Sequence, residues 1–292
     1  MRTLTHTVCP EDAGRTVLFC LKKYFGLAEG AVSRLKWQPG GIVLNGEPAR
    51  VTVRVRAGDV LSAQVGDTRP GGAFVPAEVP LDILYEDEDL LIVNKPAGLA
   101  VHGRSEKCDL TLGNALAFRY GPEAVFHPVN RLDKDTSGAM AVARSGYIHD
   151  RLRRMLHTPD FRREYLAVAS GIVMPPSGVV DAPMGRGNAG WKQAVRPDGR
   201  PAVTRYETVQ VFSDRTLLRV TPETGRTHQI RLHMAYLGHP LVGDALYGTP
   251  DPRIPRHALH SARVTLRHPV TGETVDVAAP LPEDFQRLTE TP

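Results

Sequence analysis

Ile83-Leu84-Tyr85-Glu86-Asp87-Glu88-Asp89-Leu90-Leu91-Ile92-Val93-Asn94 is the stretch on which the fold class turns. Two apolar runs flank four consecutive acidic residues. A charged turn between runs rich in Ile, Leu, Tyr and Val reads as a hairpin, so the strands here are antiparallel. Downstream the strand pattern continues through Ala139–Ala143, Tyr165–Ala169, Val203–Phe212 and Thr216–Val220. Helical spacing interrupts it at Thr111–Tyr120, with Thr111 near the start, and in the Arg-rich amphipathic stretch Tyr147–Leu156. A third helix is expected after Thr227 as its cap, with Ile230, Met234 and Leu237 as the apolar stripe. These elements make the body, residues 81–292, an α+β domain with a mostly antiparallel, mixed sheet.

Upstream, residues 66–80 contain Gly66, Asp67, Pro70, Gly71, Gly72, Pro76 and Pro80 without periodicity and read as a linker. Residues 1–65 read as a small α+β module. Val17, Leu18, Leu21, Tyr24 and Phe25 follow helical spacing, and Val32, Leu35 and Trp37 suggest a second short helix. Gly41-Ile42-Val43-Leu44 ends in Asn45-Gly46, a strong hairpin signal. Val51, Val53 and Val55 then alternate with polar residues before a Gly58-Asp59 turn. No tandem repeat is visible.

Composition bounds the function. The 292 residues are 41% hydrophobic and 23% charged, ordinary globular usage that excludes a disordered or fibrous chain. No apolar run approaches the roughly 18 residues of a membrane span, and Met1 to His6 shows no leader-like apolar core. Three cysteines (Cys9, Cys20, Cys108) at unrelated spacings encode neither a disulfide framework nor a Cys-based zinc site. A cytoplasmic protein is expected. Residues 1–65 carry nine Lys/Arg against five Asp/Glu, and the rest carries 27 against 27, so the net charge of +4 resides in the N-terminal module. Arginine supplies 29 of the 36 basic residues. A basic module beside a neutral body fits an appended polyanion binder, and a solvated surface fits equally well.

Four polar segments could carry chemistry. Asn130-Arg131-Leu132-Asp133-Lys134-Asp135-Thr136-Ser137-Gly138 places a carboxylate between cations in a tight loop, which also suits a solvated turn with a local ion pair. In Thr224-Gly225-Arg226-Thr227-His228-Gln229-Ile230-Arg231-Leu232-His233 a helix would put His228, Arg231 and Ala235 on one face, and the Arg231 fork could hold a carboxylate. His228 and His233 lie five apart with no intervening glutamate, unlike a helical zinc pair, and structural histidines are the better account. Asn94-Lys95-Pro96-Ala97-Gly98-Leu99 is a turn after a buried strand. Arg162-Arg163-Glu164-Tyr165 opens a strand with an aromatic beside cations, suited to a core position or to stacking on a base. The run Gly185-Arg186-Gly187-Asn188-Ala189-Gly190 lacks the Lys-Ser/Thr and helix of a phosphate cradle and reads as a loop.

Taken in chain order (94–99, 131–138, 163–165 and 224–233), the four segments resemble the RluA-type pseudouridine synthases, and Gly238-His239-Pro240-Leu241-Val242-Gly243-Asp244 continues the likeness, which spans roughly residues 80–280. The resemblance implies a cofactor-free, metal-free isomerase that detaches uracil from its ribose and rejoins it through a ring carbon, in ribosomal or transfer RNA. It makes Asp133 the catalytic aspartate, Tyr165 the aromatic stacked on uracil, Arg231 the partner of Asp133, and Arg131 and Leu232 further substrate-binding residues. The family usually has His where this chain has Asn130. Residues 1–65 resemble the αL RNA-binding motif of a small-subunit ribosomal protein, with its basic stretch reduced to Arg34 and Lys36. The implied partner is RNA, with neither a membrane nor an obligatory protein. Two other readings compete. One is an RNA-binding protein without catalysis, against which Asp133, Tyr165 and Arg231 stand intact. The other is a nucleoside hydrolase, which lacks a second acid beyond the neighbour Asp135.

Overall fold

The computed structural model describes residues 1–67, 74–101, 110–187, 190 and 192–290. Cys108, part of the linker and Asn188-Ala189 of the Gly-rich run lie outside them.

The acidic hairpin is present: strands Asp82–Glu86 and Leu90–Lys95 pair antiparallel across a turn. Asp87 closes that turn, its Oδ1 accepting the N–H of Asp89 at 2.7 Å and of Leu90 at 2.8 Å. The hairpin is one edge of a ten-stranded sheet among the described residues. From the other edge the order is Ser177–Asp181, Val203–Val211, Arg215–Pro222, Phe161–Ser170, Leu259–Arg267, Ser137–Ala143, Leu90–Lys95, Asp82–Glu86. Every pair is antiparallel except Leu259–Arg267 with Ser137–Ala143. The sheet is mixed, as expected.

Ser137–Ala143 is buried along its whole length. Met140 and Val142 join the apolar cluster on one face of the sheet, while Ala139, Ala141 and Ala143 join that on the other. Burial on both faces explains why this strand reads as an unbroken apolar run. Helices Leu112–Tyr120 and Gln229–Tyr236 cover the first face with Leu112, Leu116, Ile230 and Met234; helix Gly146–Met155 covers the second with Ile148 and Leu152. Thr111 caps the first of these helices in a reciprocal box with Asn114. Gly138 sits where the two parallel strands begin to pair. Its φ is +109°, and a Cβ there would lie 2.2 Å from the Ser261 carbonyl oxygen, so only glycine fits.

The first 65 residues have an apolar cluster of their own, from Val8 to Val65, joined by Tyr147. It packs helices Val17–Phe25 and Glu29–Leu35 on a four-stranded sheet ordered Arg2–Thr7, Val60–Val65, Ile42–Leu44, Glu47–Pro48. The Asn45-Gly46 turn forms with both residues at positive φ, as a two-residue hairpin requires. Three features differ from the expectation. Arg2–Thr7 is a strand, paired along its length with Val60–Val65; Leu4 is its one apolar residue, so it gave little apolar signal. Val51–Val55 is not a ladder strand. Its carbonyls accept the orphan N–H groups at a helix start instead, Val17 N to Val53 O at 2.8 Å and Leu18 N to Val51 O at 2.9 Å. Trp37 lies beyond the second helix and is 86% exposed, so it is no part of that core.

The module touches the body through Arg2, whose guanidinium meets Asp89 at 2.5 Å, and through helix Gly146–Met155. Tyr147 and Arg151 donate to the Phe25 carbonyl (3.1 and 3.2 Å) and Arg154 to that of Gly26 (2.8 Å). The cations of that amphipathic helix thus serve the unsatisfied C-terminal carbonyls of Val17–Phe25. Among the described residues no helix is long and apolar enough to cross a membrane.

Candidate active site

The loop at 130–138 is held from several sides and leaves one carboxylate facing a cleft. Asn130, buried, accepts the Ala141 N–H on its Oδ1 at 2.9 Å, tying the loop's entry to the strand that follows it. Asn130 therefore has a backbone-anchoring job here. Thr136 N–H closes a turn on the Asp133 carbonyl at 3.1 Å. The Lys134 carbonyl accepts from Lys95 Nζ at 2.9 Å and from Gly98 N–H at 3.0 Å, and the Asp135 carbonyl from Arg256 at 3.0 Å. Thr136 Oγ1 meets His257 Nε2 at 2.8 Å.

Lys95 is fully buried, and its ammonium also donates to the Pro96 and Leu99 carbonyls, each at 2.8 Å. The Asn-Lys-Pro-Ala-Gly-Leu turn is thereby stitched to the Asp133 loop. Burial pushes Lys95 down to about 7, against the pull of the Asp135 charge. His257 and His260 are likewise held neutral by burial, at about 3 and about 4.

Arg231 comes from helix Gln229–Tyr236 and is 7% exposed. Its Nε and Nη2 donate to the two oxygens of Asp244 at 2.7 and 2.9 Å, and its Nη1 to Asp133 Oδ2 at 3.1 Å. Burial works against both the Arg231 and Asp244 charges, but their bidentate pairing outweighs it. Asp244 is held below the usual carboxylate range and Arg231 above its own. Asp244 Oδ1 further accepts the N–H groups of Leu246 at 3.0 Å and Tyr247 at 3.2 Å.

Helix Gln229–Tyr236 starts differently from the sequence expectation. Thr227 does not cap it. His228 occupies the cap position at φ 58°, and the Gln229 side chain takes over the turn by accepting from Thr224 Oγ1 (2.7 Å) and Arg226 N–H (3.0 Å). Gln229 through Met234 are all buried, so Arg231 reaches the cleft from a buried turn, and Leu237 is the exposed end. His228 Nε2 stands 3.9 Å from Asp133 Oδ2, and burial pushes its pKa down against the opposing Asp133 charge.

Asp133, Arg231, His228, Arg131, Tyr165 and Arg163 line one cleft with Gly225 and Arg226. Tyr165 reaches it from the strand Phe161–Ser170, and burial raises its phenol pKa further. Arg131 is exposed at the rim. Leu232 is not a lining residue. It packs behind Arg231 in a cluster with Met184 and Ala202. His233 uses both nitrogens structurally, toward Thr204 Oγ1 (2.9 Å) and the Ala182 carbonyl (3.0 Å). Away from the cleft, Asp87, Asp89 and His268 converge within 4.8 Å. His268 Nδ1 accepts the N–H groups of Val270 (3.3 Å) and Thr271 (3.1 Å), and its Nε2 lies 3.1 Å from Asp87 Oδ2.

The arrangement offers a carboxylate steadied by a buried cation next to a flat ring, in a cleft whose lining holds no second acid among the described residues. The model of the RNA pseudouridylate synthase family matches residues 89–236, about half of the chain. This chain belongs to that family. Its members include the ribosomal large subunit pseudouridine synthase D of Xanthomonas campestris pv. campestris, 42% identical over 98% of this chain and 92% of the relative. An uncharacterized RNA pseudouridine synthase of Bacillus subtilis, YjbO, is 38% identical over 90% and 94%. Among solved structures, human RNA Pseudouridylate Synthase Domain Containing 1 superposes with a TM-score of 0.59 at 27% identity, covering 74% of this chain and 87% of that one. The chain is an RNA pseudouridine synthase with the pseudouridine synthase fold.

Three site residues escaped the reading of the sequence. Asp244 stood at the end of a recognised run without a role. Lys95 looked like part of a shape-determined turn, and His257 was not singled out. Each acts through a partner 13 to 121 positions away, and spacing along the chain carries no signal for that.

Proposed function

We propose that this pseudouridine synthase modifies uridines of large-subunit ribosomal RNA in the cytoplasm, with Asp133 as the catalytic aspartate. Asp133 works where the N1–C1′ bond breaks and the C5–C1′ bond forms; the C5 proton is lost and N1 gains one, so no redox partner is required. Tyr165 stacks on the everted uracil, offsetting about 1–3 kcal/mol of unstacking. Arg231 orients the carboxylate, Arg131 meets RNA at the rim, and Leu232 supports Arg231 from behind. Residues 1–65 are an RNA-binding module, joined through a linker at 66–80 to the catalytic domain at 81–292. Arg34, Lys36 and the exposed Trp37 form its contact surface. The observation that carries the proposal is that Arg231 bridges Asp133 to a buried Asp244 in the cleft that Tyr165 also lines. The ribosomal target is supported by the names of the relatives.

Chemical mapping of pseudouridine in ribosomal and transfer RNA from a deletion strain, with and without complementation, tests it. A large-subunit site that disappears and returns only with an intact Asp133 is expected. Loss confined to transfer RNA would move the substrate, and full retention of every site would refute the proposal.

A further inference from the structure

Among the described residues four arginines are buried: Arg163, Arg215, Arg231 and Arg256. Three have carboxylate partners, Arg215 with Asp214 at 2.7 Å, Arg231 with Asp244 at 2.7 Å and Arg256 with Asp284 at 2.7 Å. Arg163 has none within ion-pair distance among the described residues. Its Nη2 reaches only the Pro222 carbonyl at 3.3 Å, and its Nε is buried without an acceptor. The nearby carboxylates are already engaged, Glu164 with Arg219 at 3.3 Å and Glu223 with Arg205. A desolvated guanidinium without a counter-charge is costly, and the cost is relieved when a ligand brings the anion.

Arg163 lies two residues before Tyr165 on the same strand, so the two side chains share a sheet face about 7 Å apart. It lines both the Asp133 cleft and the groove leading away from it past His157, Arg162 and Arg263. Beside it Gly225, in ordinary backbone conformation, puts no side chain against the guanidinium; a Cβ there would come within 3.4 Å of Nη1. The anions that RNA carries are phosphodiesters, and a guanidinium fork matches two phosphate oxygens.

We propose that Arg163 is a positioning residue that holds the phosphodiester flanking the everted uridine as the strand passes from the cleft into the adjoining groove. This rests on the pseudouridine synthase reading and adds to it an anion site that neither Asp133 nor Arg231 supplies.

The test uses the full-length protein and an RNA hairpin containing the modified site, with Arg163→Met and Arg163→Lys. For Arg163→Met, KM should rise tenfold or more while kcat stays within about twofold. The slope of log Kd against log salt should flatten by about 0.7–0.9, the share of one phosphate. Arg163→Lys should restore the slope and recover only part of KM, since an ammonium lacks the fork. The melting temperature of the RNA-free Arg163→Met protein should be unchanged or higher, because no ion pair is lost. A fall in kcat with KM and salt slope unchanged would place the relevant anion on the reacting uracil and overturn the proposal. A lower melting temperature with normal KM would make Arg163 merely structural and overturn it too. Binding slopes are read without turnover, so a failed activity assay would count against the function and leave this site testable.

Discussion

Arg231 Nη1 stands 3.1 Å from Asp133 Oδ2 while the rest of the guanidinium is clamped by both oxygens of Asp244. Two carboxylates share one cation, and the fully buried one takes the bidentate geometry. The Asp133 carboxylate is therefore steadied by a single hydrogen bond and keeps its other oxygen available to the cleft. Asp133→Asn preserves shape and leaves Arg231 paired with Asp244. It should reduce pseudouridine formation by at least about a thousandfold, the scale on which removing a reacting group acts, with melting temperature and RNA affinity near those of the wild type. Product mapping together with a binding titration checks it, and residual turnover within tenfold of wild type would remove Asp133 from the chemistry.

Asp244 fixes where Arg231 points. Asp244→Ala strands a buried guanidinium and two backbone N–H groups, so a loss of about 3–5 kcal/mol of stability is expected. Asp244→Asn, whose carbonyl can still accept the N–H groups of Leu246 and Tyr247, should lose less stability yet still lower kcat. Denaturant unfolding of both variants beside single-turnover kinetics is the measurement. An unfolding midpoint of Asp244→Ala equal to wild type would show that the clamp contributes nothing.

His257 and His260 give the fold an acid-sensitive seam. His257 holds Thr136, and His260 Nδ1 meets Ser137 Oγ at 2.9 Å, at the two ends of one short loop exit. Burial lowers both, to about 3 and about 4, from the model-peptide value near 6.5. Between those values and 6.5 the unfolded chain binds protons that the folded one does not, so stability falls as pH drops through that window. Each histidine can contribute up to about 1.4 kcal/mol per pH unit. Urea unfolding at pH 7, 6 and 5 should show the loss, and His260→Asn should flatten it; identical slopes in the two proteins would contradict the assignment.

The strands of the body were legible because burial on both faces writes continuous apolar runs, as in Leu90–Val93 and Ala139–Ala143. Thr111 and the Asn45-Gly46 turn were legible because capping and tight turns are local chemistry. The Asp133 loop and the Arg231 helix were recognisable as motifs, while the start of that helix was not. Thr227 is a good cap in isolation, but the Gln229 side chain folds back over the turn and displaces it, a choice made by contacts with Val203 and Thr224. Arg2–Thr7 and the Val51–Val55 segment failed for the same reason. Which residues pair depends on what lies opposite, and neither stretch says so alone.

Lys95 offers the sharpest separation of scaffold from chemistry. Its ammonium donates three hydrogen bonds to backbone carbonyls, one of them on Lys134 beside Asp133. Lys95→Met fills the same space and removes all three donors, leaving Gly98 N–H as the grip on the Lys134 carbonyl. The loop should loosen, seen as faster proteolysis at Lys134 and a several-fold lower kcat with RNA affinity preserved. Burial also puts the folded-state pKa near 7 against about 10.4 in the unfolded chain. Between those values the unfolded chain holds a proton that the folded one releases, so the lysine's contribution grows more favourable as pH rises. The stability of wild type relative to Lys95→Met should therefore increase from pH 7 to pH 9. A difference that stays flat across that range would mean the ammonium keeps its proton on the three carbonyls, and a kcat equal to wild type would free the Asp133 loop from dependence on this stitch.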